Sequence, residues 1–120
     1  MDLAGDDAFE LKLIFLRELG VGYVAAKAAL ELLQKDAADR AAMQELHNFF
    51  HKIAGTAAVV ELGLLGRLAA VCETATDALL EGSLAANKHA LQMFAEGLGG
   101  VASVLEGEVK AGALPAPEAG

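Results

Sequence analysis

Apolar and polar positions repeat with a helical period along most of this chain. The clearest stripe is Leu46, Phe50, Ile53, Ala57 and Val60, spaced 4, 3, 4 and 3, which places all five on one side of an α-helix. Asp39 is the expected N-cap of that helix, after the polar connection Asp36-Ala37-Ala38-Asp39, and the helix is expected to run from about Arg40 to about Val59. Upstream, apolar residues crowd between Phe9 and Leu19, which predicts contact on more than one side or a self-association face. Asp6 or Asp7 is expected to cap this segment, and Gly20-Val21-Gly22 is a candidate kink. The pattern leaves open whether residues 7–35 form one bent helix or two. Downstream, Glu61-Leu62-Gly63 reads as a turn. Leu64 or Leu65, Leu68, Cys72, Ala75 and Leu79 then predict a third helix ending at Gly82, a favourable residue just past a helix end. Ser83 is expected to cap a fourth helix carrying Leu84, Leu91, Phe94, Leu98, Val101, Val104 or Leu105, and Val109. Gly97, Gly99 and Gly100 suggest a bend within it. No strand pattern competes. Short connections predict antiparallel neighbours. The expected fold is all-α: an antiparallel four-helix bundle over residues 1–111, with an N-terminal helical extension or kinked first helix. Residues 112–120, with Pro115 and Pro117, are expected to form a flexible linker-like tail.

Composition narrows this picture. Of the 120 residues, 55% are apolar but only 5% aromatic, so the core is one of Ala, Leu and Val, which suits closely spaced helices. The net charge of −8 argues against nucleic acid and anionic membranes as partners, since phosphate-rich surfaces select basic ones. No apolar run reaches the roughly 18 to 20 residues of a membrane span. The start carries acid where a secretion signal carries Lys or Arg, and the single Cys72 cannot form an internal disulfide. The expected location is the cytoplasm. Cys72 reads as a small core residue. Gly97-Leu98-Gly99-Gly100 is not a nucleotide loop, because no strand precedes it.

The candidate chemistry centres on His51. It falls about 100° round the helix from the apolar stripe, beside Phe50. Its neighbours one turn on are Ala54, Gly55 and Ala58, all small. Glycine inside a helix costs about 1 kcal/mol relative to Ala. A helix that accepts this cost beside an outward imidazole gains an open surface there, on which another protein can approach the ring. His47 lies four residues earlier and reads as a rim residue of that surface. The His47/His51 spacing can chelate Zn²⁺, but metal sites usually need a third protein ligand and His89 is on a distant helix, so no metal or cofactor is expected in this chain. Phe49 and Phe50 read as core packing, with Phe49 a candidate docking contact.

At His51-Lys52-Ile53-Ala54-Gly55-Thr56-Ala57 the sequence resembles the histidine phosphotransfer (HPt) domain family. That family's motif is a His, an apolar residue two later, a Gly four later, then Ser or Thr and small residues. A second family feature, a Glu 22 residues after the His, is matched by Glu73. The likeness in motif covers about residues 46–73. Two positions depart from it: Ala54 stands where many members have Lys, with Lys52 displaced beside it, and Glu61 stands where the family often has Gly. The connection between the second and third helices is therefore expected to differ.

The resemblance implies a phosphorelay intermediate. A free imidazole, with pKa about 6.5, is mostly neutral at pH 7 and is a competent nucleophile. By this likeness, Nε2 of His51 takes a phosphoryl group from a kinase or a receiver phosphoaspartate and passes it to a receiver aspartate. Glu73 would accept the Nδ1 proton, as in the chemotaxis-kinase branch. Lys52 and Thr56 are candidates to meet phosphoryl oxygens, and His47, Ala54, Gly55 and Ala58 form the docking surface. Mg²⁺ would belong to the receiver, and the chain would be a phosphoryl carrier rather than a stand-alone enzyme. Rival readings are a non-transferring module that binds a receiver or kinase, a structural oligomerisation bundle, and a small metal-binding protein.

Overall fold

The computed structural model describes residues 5–112, of which all but the turns and loops lie in four helices. Helix α1 spans Gly5–Lys35, α2 Arg40–Thr56, α3 Gly63–Glu81 and α4 Lys88–Lys110. The described residues contain no strand. Each helix packs on two others in the cycle α1–α2–α3–α4–α1, the neighbour pattern of a four-helix bundle. All five residues of the α2 stripe are buried, and Phe50 meets Phe94 of α4 at the centre with ring centroids 6.2 Å apart.

The first helix is continuous. It passes through Gly20 and Gly22 without interruption, and Asp6 and Asp7 lie within it rather than before it. Gly22 serves packing: a Cβ there would stand 3.0 Å from the ring of Phe49. The crowded run divides in two. Phe15, Leu16 and Leu19 enter the core, whereas Phe9 and Ile14 face outward. Lys12 meets Glu108 of α4 at 3.2 Å, so the N-terminal part of α1 lies along the bundle and is no separate extension.

Capping explains the other boundaries. Asp39 caps α2 by accepting from the Ala42 amide at 3.0 Å, as its sequence position predicts. After Thr56 the backbone tightens into i to i−3 bonds, and the path closes when the Glu61 amide bonds Ala58 O and the Leu62 amide bonds Ala57 O. This is a Schellman ending, and it requires a left-handed residue at Glu61, whose φ is +64°. The same ending closes α3, where Gly82 takes φ +85° and the amides of Gly82 and Ser83 bond Leu79 O and Ala78 O. Ser83 does not cap α4: its hydroxyl donates to Ala78 O at 3.3 Å. Asn87 is the cap instead, accepting from the Ala90 amide at 3.0 Å.

Helix α4 is also unbroken, and two of its glycines permit close approach of α3. A Cβ at Gly97 would lie 2.6 Å from Cys72 Sγ, and one at Gly100 2.5 Å from Leu68 Cδ2. The helix end is followed by Gly112 at φ +81°; the rest of the expected tail, residues 113–120, lies outside the described residues.

Candidate functional site

The candidate residues His47, His51 and Glu73 lie along the α2–α3 pair. Arg40 donates to Leu80 O, His47 pairs with Thr76 and Asp77, and His51 pairs with Glu73. Positions therefore rise along α2 as they fall along α3, and this register brings a residue 22 positions downstream to the histidine's own level. His47 and His51 lie one turn apart on the side of α2 that borders α3, and Gly55 follows one turn further along.

His51 is 70% exposed at its side chain, and its ring is anchored by one hydrogen bond. Nδ1 is hydrogen-bonded to Oε2 of Glu73, whose side chain is only 22% exposed and so comes from a packed position on α3. A carboxylate can only accept, so in the neutral ring the proton sits on Nδ1 and the lone pair on Nε2. Beyond the ring, a Cβ added at Gly55 would meet no heavy atom within 4 Å, and Ala58 is exposed. The outward side of the imidazole is thus bordered by backbone and methyl groups alone along the next turn of its own face.

His47 is partly buried next to His51. Its side chain is 19% exposed, with Nδ1 3.1 Å from Thr76 Oγ1 and 3.2 Å from Asp77 Oδ1. The buried Thr76 hydroxyl donates its one proton to the carbonyl of Glu73 at 2.7 Å, so toward His47 it can only accept. The proton of neutral His47 therefore also sits on Nδ1, leaving Nε2 as the free nitrogen. The two imidazoles lie nearly parallel, 13° between planes and 5.8 Å between centroids. One ligating atom from each of His47, His51 and Glu73 falls within 4.8 Å of the others.

The remaining candidates are arranged less tightly. Lys52 turns away toward α1, with Nζ 3.3 Å from Oε2 of Glu18. Thr56 is half-buried one turn beyond Lys52, on that side of the helix, and Ala54 is half-buried against the core. Phe49 lines a cavity of about 190 Å³ between α1 and α2, with Leu19, Gly22, Lys52 and Ile53. Cys72 is fully buried, and burial raises its thiol from the ordinary 9.0 to about 11, so it is an inert core residue at neutral pH.

Two members of the cluster, Thr76 and Asp77, are absent from the expectations drawn from the sequence. Their signal was weak: only the register of α3 against α2 shows that positions three and four after Glu73 reach His47. Compared with known proteins, the chain matches no family model, no curated protein and no solved structure.

Proposed function

We propose that this chain is a histidine-containing phosphotransfer protein, carrying a phosphoryl group on Nε2 of His51 between a kinase or receiver phosphoaspartate and a receiver aspartate. One observation carries the reading: an exposed imidazole whose Nδ1 is held by a packed carboxylate, with an open surface beside it. The Nε2 lone pair attacks phosphorus, the N–P bond forms, and the P–O bond to the donor aspartate breaks with its electron pair leaving on that carboxylate. The ring becomes cationic while the Nδ1 proton stays in place, and Glu73 beside it offsets the new charge. Transfer onward reverses these steps, with Mg²⁺ supplied by the receiver. The same reading takes the fold as an antiparallel HPt-like bundle and the setting as cytoplasmic two-component signalling.

A panel of phosphorylated receiver domains tests this directly. His51→Gln is expected to keep the helical circular dichroism spectrum and to lose phosphoryl uptake. Gly55→Arg is expected to keep the fold as well, because that position is open, and to block docking by bulk. Undiminished labelling of the His51 variant would overturn the assignment.

A second reading keeps the bundle without the transfer. It is favoured by Lys52, which pairs with Glu18 and leaves the imidazole with no neighbouring cation at position 54 to meet phosphoryl oxygens. On that reading the His51 surface binds a receiver or kinase, and binding persists while phosphohistidine never forms.

A further inference from the structure

We propose that His47, His51 and Glu73 form a binding site for a transition-metal dication of the Zn²⁺ class. The sequence supplied the helical His-x-x-x-His pair but no third ligand. The packing of α3 on α2 supplies it: the ligating atoms of the two rings and of Glu73 all lie within 4.8 Å of one another.

The donor set decides the class of metal. Two imidazole nitrogens and one carboxylate oxygen suit Zn²⁺ and its borderline neighbours, whereas Mg²⁺ and Ca²⁺ require oxygen-rich shells. Three protein ligands leave a fourth tetrahedral position to water. Metal–ligand bonds of about 2.0–2.2 Å bring ligand atoms to about 3–3.5 Å from each other. Closing from the present spread takes a rotation of His51, the most exposed of the three side chains. His47 is already oriented for the task. Thr76 Oγ1 and Asp77 Oδ1 hold its Nδ1 proton and present Nε2, the carboxylate–histidine support that metal-ligating rings commonly have.

Metal binding draws on the same ring and the same carboxylate as phosphoryl transfer. Metal occupancy and phosphorylation of His51 then exclude each other; that consequence rests on the phosphotransfer reading, whereas the binding itself does not.

Titration of the tag-free full chain with Zn²⁺, and with Co²⁺ as a spectroscopic probe, tests the site without any phosphoryl donor, so its outcome is independent of the transfer reading. One equivalent is expected to bind per chain, with visible Co²⁺ bands of tetrahedral intensity. His47→Gln, His51→Gln and Glu73→Gln are each expected to weaken binding by about tenfold or more, since ligands count for at least as much as their supports. His89→Gln is expected to leave it unchanged. Circular dichroism checks that each variant folds; Glu73→Gln and His51→Gln carry the test if the half-buried His47 variant does not. Absence of binding, binding that survives Glu73→Gln and His51→Gln, or binding lost in His89→Gln overturns the site.

Discussion

At the scale of residues, the pair His51–Glu73 joins structure to chemistry. An isolated histidine divides its proton between two nitrogens and its ring between several rotamers. Here a carboxylate from the neighbouring helix favours the Nδ1-protonated tautomer and one ring position, with Nε2 outward. Glu73→Gln keeps the shape but removes the charge, and its amide can donate to Nδ1 as readily as accept. The wrong tautomer, with the proton on Nε2, is then populated, and the ring loses its counter-charge on phosphorylation. Phosphoryl uptake is expected to slow by about tenfold or more with melting temperature little changed, measured as initial transfer rate at saturating donor. A rate equal to wild type would show that Glu73 merely sits nearby. Glu61 is the other residue under constraint. It holds a left-handed conformation at a helix end, where glycine is the usual occupant. Glu61→Gly is expected to raise stability by about 0.5–1 kcal/mol in denaturant unfolding, because the steric cost at a side-chain-bearing residue is relieved and only partly offset by added chain entropy.

At the scale of elements, glycine has two separate uses in α4. Gly97 faces Cys72 at a distance that leaves no room for a methyl, and Gly99 faces open space. Gly97→Ala is therefore expected to destabilise by about 1–3 kcal/mol through overpacking. Gly99→Ala is expected to stabilise by up to about 1 kcal/mol through helix propensity. Thermal unfolding of the two variants side by side checks the α3–α4 contact, and equal effects would contradict it. These glycines also show where sequence reading reaches its limit. The α2 stripe, the Asp39 cap and Gly82 were legible because each depends on chain-local geometry. Gly20-Val21-Gly22 and the α4 glycines suggested bends or breaks, but the helices continue unbroken through them; at Gly22, Gly97 and Gly100 the missing side chain lets a neighbour approach, and that neighbour is set by tertiary packing. Ser83 was an equally reasonable cap on local chemistry; the Schellman ending of α3 claims it, and the turn runs on to Asn87.

At the scale of the whole molecule, four helices in a closed cycle place one histidine-bearing edge, between α2 and α3, on an acidic protein of net charge −8. The exposure of His51 and the open ground at Gly55 were legible from helical spacing. The support beneath His47 was not, because it depends on how α3 registers against α2. Ile14, Val21 and Val24 of α1 are exposed as well. The central claim, that this edge carries phosphate covalently, is tested most directly by the chemistry of the label itself. The wild-type chain is incubated with phosphorylated receivers, digested, and its labelled peptide sequenced. The account predicts one phosphate per chain, labile in acid and stable in base, on the peptide containing His51. An acid-stable label, or a label confined to His89, would contradict it.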